Sequence, residues 1–201
     1  MSCKSCLRLA VLGAVALLIL PVQAATLGFA PADAAVTAGA TIEITIVGRD
    51  FTAGAGGSIG GGLSVSWDPS MLALAAYDTS VFAGDRFFAA DNTTTVHDAV
   101  AGELRDLSVL SLFGVADADF DVATLVFEGL QVGVSQLGLG IGRFDSNADN
   151  AWFDGDGLVA AEPVFVGGSL AVTAVPVPAA LPLFGLPLSL LALRRRAGWQ
   201  A

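Results

Sequence analysis

Ile42, Ile44 and Ile46 alternate with Thr41, Glu43 and Thr45 without a lapse. A period of two is that of a β-strand with one buried face; a helix would scatter these isoleucines around its circumference. The signature recurs along the chain. Leu63, Val65 and Trp67 alternate with Ser64 and Ser66 until Asp68-Pro69-Ser70 breaks the run. Residues 104–113 are apolar on both faces toward their end, as suits a central strand. Further strands are expected over residues 122–127, 137–141, 158–166 and 169–174, and residues 71–76 are assigned to strand over a single helical turn. Turn residues separate them at 54–57, 68–69, 117–121, 147–157 and 167–168. No long amphipathic helix interrupts the series, so the fold class is all-β, an antiparallel β-sandwich.

The two ends of the chain belong to a different physical regime. Lys4 and Arg8 precede an apolar run over residues 9–20, followed by Pro21-Val22-Gln23-Ala24-Ala25. A positive start, a short hydrophobic core and small residues at the exit make a secretory signal peptide over residues 1–24, cut by signal peptidase at Ala24 or Ala25. A permanent signal anchor is the alternative, and the run is short for a spanning helix. Cys3 and Cys6 are the only cysteines and leave with that peptide. The mature chain would then have no disulfide, no zinc–thiolate site and no thiol nucleophile. At the other end, residues 181–193 are charge-free and apolar, and Arg194, Arg195 and Arg196 close the run. Arginines there resist crossing the bilayer and hold the segment as a transmembrane helix in the inner membrane. An ordinary single-pass anchor is the plain reading of this tail.

The body between the ends, residues 25–174, is one domain's worth of chain and long enough for a full hydrophobic core. Four arginines, Arg49, Arg86, Arg105 and Arg143, against all 19 carboxylates leave the body and its exit with a formal charge of −15. Nucleic acid is excluded as a ligand, because phosphate recognition needs clustered Lys and Arg. An acidic surface suits solubility outside the inner membrane, or cation binding.

Two resemblances add to this. Val175-Pro176-Val177-Pro178-Ala179, then the proline-containing leucine run, then Arg194–Arg196, resemble the VPLPA class of PEP-CTERM sorting tails over residues 175–201. That resemblance implies an exported protein of an exopolysaccharide-producing Gram-negative bacterium, with an exosortase as the partner acting near residues 175–179. It places the protein in the cell envelope or extracellular matrix. Gly60-Gly61-Gly62-Leu63-Ser64-Val65-Ser66-Trp67-Asp68-Pro69-Ser70-Met71-Leu72 resembles the cohesin-type sandwich, in which a strand ends in an aromatic-Asp-Pro turn followed by leucine. Residues 123–127 and 133–139 resemble the later strands of that family. The implied fold is a jelly roll, and the implied function is a non-enzymatic module. Its partners would be exopolysaccharide or a protein, with a carbohydrate-binding or cohesin-like recognition module as the alternative.

Candidate sites are few. Asp145, Asn147 and Asp149 take the first, third and fifth places of a loop in which Asp156 falls twelfth and Asp154 adds a carboxylate. Alternating oxygen ligands of this kind converge on calcium. Asn150 stands where the sharp turn needs glycine, and Asp156 where a bidentate glutamate belongs. A plain acidic loop with Asx-turns explains the same residues, so no cofactor is required. Asp117, Asp119 and Asp121 are a weaker cluster. Gly56-Gly57-Ser58-Ile59-Gly60 has the letters of a nucleophile elbow but precedes a strand, so a flexible turn is expected, with the sole histidine, His97, in an exposed loop. No catalytic residue is assigned. Trp67, Tyr77 and Trp152 are the aromatics that could stack on sugar rings; Trp67 shares its face with Leu63 and Val65 and is expected in the core, and Trp152, in the acidic loop, is the better exposed candidate. Asn92-Thr93-Thr94 matches a glycosylation triplet.

Overall fold

The computed structural model describes residues 24–52, 54, 56–82, 95–143, 150–158 and 160–176, and among these described residues all the regular structure is β. The strands run in chain order as β1 (Thr26–Ala30), β2 (Asp33–Thr37), β3 (Thr41–Arg49), β4 (Ser58–Ser66), β5 (Leu72–Asp78), β6 (Val96–Asp98) and β7 (Glu103–Val115). There follow β8 (Phe120–Gly129), β9 (Gly133–Ile141), β10 (Trp152–Phe153), β11 (Ala160–Ala161), β12 (Val164–Phe165) and β13 (Gly168–Thr173). They form two sheets. The smaller has the order β12-β1-β3-β8-β5; the larger runs β11-β10-β4-β9-β13-β2, with β7 on the other side of β4 and β6 beyond it.

The alternation in β3 does what its period demands. Ile44 and Ile46 are fully buried, while Thr41 and Glu43 face solvent. Opposite them on β8, Phe127, Leu125 and Ala123 are equally buried, and a bulge at Ile46/Val47 lets Val122 join them. The larger sheet returns Leu63 and Val65 from β4, Leu104 and Leu107 from β7, and Leu170 and Val172 from β13. Each such side chain removed from water is worth about 1.5–3 kcal/mol, which is what holds the two layers together. Trp67 lies in this core as expected, edge-on to Phe127 at 5.4 Å, with its Nε1 donating to Leu72 O at 3.1 Å.

Both terminal segments change sheets. The chain leaves β1 in the smaller sheet at Ala30-Pro31 and enters β2 in the larger; near the other end β12 and β13 make the same crossing at Val166–Gly168. The β1–β12 and β2–β13 pairs are parallel, so the two segments run side by side along one margin of the sandwich. Thr26 and Thr173 consequently lie at opposite ends of the domain.

The strand expected over residues 158–166 is corrected. Glu162-Pro163 divides it into β11, which pairs with β10 in the larger sheet, and β12, which pairs with β1 in the smaller. Proline lacks the N–H a continuous ladder would need, and here it marks a change of layer. The other expected strands are present, most with longer bounds; that over residues 169–174 is shifted by one residue to Gly168–Thr173. Residues 1–23, the triplet at 92–94 and residues 177–201 lie outside the described residues. These include Val177, Pro178, Ala179 and Arg194–Arg196. Among the described residues no helix is long and apolar enough to cross a membrane.

Candidate binding surface

The larger sheet turns a face of small side chains to solvent. Ser64 of β4 is opposite Gly140 of β9, and Ser66 is opposite Gly138. On the other flank of β4, Glu103 and Arg105 of β7 rise beside these serines and form an ion pair at 3.5 Å, both side chains about half exposed. Together they line a shallow depression of about 300 Å³. A bulge in the β4–β7 pairing at Leu63/Val65 makes room for Asp106, whose φ of 56° is in the left-handed region. Asp106 N donates to Ser64 Oγ at 3.3 Å, and its carboxylate accepts from Arg143 N at 2.9 Å. The bulge thereby fixes the floor of the depression and ties β7 to the chain leaving β9.

That chain leaves the sheet at one residue. Gly142 N donates to Gly62 O and Gly62 N donates to Ala151 O, both at 3.1 Å, so the place beside β4 passes from β9 to β10 at Gly62. Beside this point Arg143 and Asn150 form an isolated bridge. Ser108 Oγ braces it, donating to Arg143 O at 3.3 Å. Asp145, Asn147 and Asp149 lie outside the described residues. Of the remaining calcium candidates, Asp156 is exposed, whereas Asp154 is buried and accepts a hydrogen bond from Leu158 N at 3.1 Å. Among the described residues no group of three or more His, Cys, Asp or Glu stands together as a metal site. Asp117, Asp119 and Asp121 are exposed, and Asp119 accepts from Asp50 N at 3.0 Å.

Three expectations are corrected. Trp152 is not a sugar platform: it is 0 % exposed, with its ring 6.0 Å from Phe51 and its Nε1 donating to Gly62 O at 2.8 Å. Its place in the sheet opposite Gly61 explains this, because the glycine leaves a hollow that the indole fills. Nor is Ser58 on a flexible turn. It opens β4, fully buried, with Oγ donating to Phe153 O at 2.7 Å and accepting from Gly60 N at 3.0 Å. His97 is exposed, but on β6, its ring 5.9 Å from that of Trp67. His97 is level with Leu104, which is opposite Val65. Seven strand residues, about 23 Å, therefore separate it from Ser58 along β4, and no catalytic pair forms.

Two exposed aspartates shape the turns at the other end of β4. Asp68 accepts from Ser70 Oγ at 2.6 Å and Ser70 N at 2.9 Å, and these bonds hold its carboxyl below the ordinary aspartate value. Asp98 is held down chiefly by the backbone N–H of Ala101, with Val100 N–H and the charge of Arg105 assisting.

Solved structures of similar shape are cohesin domains. The seventh ScaB type I cohesin of Pseudobacteroides cellulosolvens matches with a TM-score of 0.51 and 13% identity, over 77% of this chain and 96% of that one. The Coh-OlpA–Doc918 complex, a type I cohesin–dockerin complex of Clostridium thermocellum, matches with a TM-score of 0.51 and 15% identity over 75% and 100%. The CaDoc0917–CaCohA2 complex gives 0.51 and 15% over 74% and 99%. No protein-family model and no curated protein sequence matches the chain. At this identity the likeness establishes architecture: an all-β sandwich of the cohesin kind.

Proposed function

We propose that this chain is an exported, non-enzymatic recognition module that binds a protein partner on the outer face of its larger sheet. The observation that carries the reading is the face itself. Ser64, Ser66, Gly138 and Gly140 make a floor of low relief, stiffened by strand pairing on both sides, with one half-exposed ion pair at its edge. Such a surface accepts a flat partner at little cost in side-chain entropy, and the Glu103–Arg105 pair offers both signs of charge for orientation. Two of the solved structures of this shape are complexes of a cohesin with a dockerin, which supports a protein as the partner. The burial of Trp152 and Trp67 takes both tryptophans out of sugar stacking, which needs an open aromatic face, and leaves only Tyr77, 38 % exposed, among the three aromatic candidates.

The ends supply the address. The signal peptide directs export, the apolar run holds the chain in the inner membrane, and an exosortase-type enzyme acts near Val175–Ala179. Prolines at 176 and 178 keep that stretch extended for an active site. Cleavage after Ala24 fits the fold better than cleavage after Ala25, because Ala25 O accepts from Val164 N at 2.8 Å and Ala25 packs on the core.

Site-specific photo-crosslinking in the native host tests the binding face. A crosslinking residue at Ser66 or Arg105 is expected to trap one discrete protein adduct, and one at Glu43 on the opposite sheet none. Adducts confined to Glu43, or equal at all three positions, would refute the assignment of the face.

A further inference from the structure

One corner of this acidic domain is built from three uncharged segments, with Asp68 and Glu128 only at its borders. Residues 34–42, 129–142 and 163–176 contain no ionisable side chain, and the fold brings the three segments together. β9, β13 and β2 are neighbours in the larger sheet. At their common end Ala38 N donates to Thr173 O, Gly39 N to Gly129 O, and Gly129 N to Ala40 O, at 2.7–3.0 Å. Aliphatic side chains stand out from this corner: Leu130 is 48 % exposed, Val132 56 %, Val134 54 % and Val175 61 %. An uncharged corner with four exposed aliphatic side chains, on a body of charge −15, favours an occupant that is itself apolar.

The direction of the chain names it. β13 ends at Thr173 in this corner, and the apolar run begins at Leu181. The seven intervening residues span at most about 25 Å even when fully extended. The corner is thus the part of the domain nearest to whatever holds residues 181–193. Elsewhere the carboxylates would be repelled by an anionic lipid surface, and this corner is where approach is least opposed. Resting on the reading of the tail as membrane-embedded, we infer that the corner formed by Leu130, Val132, Val134 and Val175 seats on the lipid headgroup boundary while the tail spans the bilayer. Seated so, the domain is oriented as well as tethered. The end bearing Asp50, Asp119 and Asp121 points away from the membrane, and the Ser64–Gly138 face stands lateral to it.

The chain from Ala25 to Ala201 has no cysteine, so single labels report cleanly. This mature chain, Ala25–Ala201 with its tail, is reconstituted into vesicles of phosphatidylethanolamine and phosphatidylglycerol, with an environment-sensitive fluorophore at Val132→Cys, Val134→Cys, Asp119→Cys or Ser189→Cys. Labels at 132, 134 and 189 are expected to shift to the blue and be quenched by a lipid-borne quencher, while the label at 119 behaves as in water. If 189 is quenched but 132 and 134 match 119, the seating is overturned and the tail reading stands. If 189 itself stays in water, the tail reading fails and the seating falls with it. Shielding at 132 that grows with protein density and ignores the quencher marks a second copy on the corner, which also overturns the inference.

Discussion

Trp152 lies opposite Gly61 across β10 and β4, and its indole occupies the space a side chain at 61 would need. With Nε1 bonded to Gly62 O, this one residue plugs the core at the point where the sheet changes neighbours. Trp152→Ala is expected to cost about 3–5 kcal/mol, the range for a buried large aromatic. Gly61→Val should cost about 1–3 kcal/mol through overpacking. Urea unfolding of both variants checks this; a loss under about 0.5 kcal/mol for Trp152→Ala is what an exposed residue would give.

Ser58 closes the same region from the start of β4. Its hydroxyl is the donor to Phe153 O and the acceptor for Gly60 N. Ser58→Ala removes both of these bonds in a buried setting and is expected to lower stability by about 1–3 kcal/mol. The same preparation should hydrolyse model esters no faster than buffer, before or after the substitution.

Stability should fall at acid pH through Asp68 and Asp98. Both carboxyls titrate below the ordinary aspartate value of 3.8 when folded, so protons bind the unfolded chain more readily. Their contribution is complete well above 3.8 and is lost as pH falls through the lower folded values. Melting temperatures of Asp98→Ala and Asp68→Ala are therefore expected below that of the parent at neutral pH. The curves should converge well below pH 3.8. Both groups are exposed, so the effect is small and shrinks with salt.

Calcium is expected to leave the domain's melting temperature unchanged between excess EDTA and millimolar metal. Asp154 is buried and already accepts from Leu158 N, which removes it from an open coordination sphere. A rise of several degrees, abolished by Asp145→Ala or Asp149→Ala, would instead establish the acidic loop as a site, by mass action on the folded state.

The sandwich was legible where one face of a strand is wet. Ile42–Ile46 and Leu63–Trp67 alternate because one side meets solvent, and Asp68-Pro69 marks the turn chemically. β1 and β2 were hidden by alanine and glycine, whose weak hydropathy contrast carries little period. β10 and β11 are two residues each, too short for any period to register. Trp152 and Ser58 were misplaced for a common reason. Each sits in a polar or glycine-rich stretch that looks like loop, yet is buried by a partner about 90 residues away in sequence. The proposed binding face was least legible, since serine and glycine on an outer face read as unremarkable surface until the register sets them side by side.

Mass spectrometry of the protein recovered from the envelope and the medium of its native host reads both ends of the working molecule at once. The expected released species begins at Ala25 and ends between Val175 and Ala180, with the acidic sandwich intact between them. A species that starts at Met1, or a released one that still carries Arg194–Arg196, would contradict a module that acts outside the cell after shedding both apolar ends.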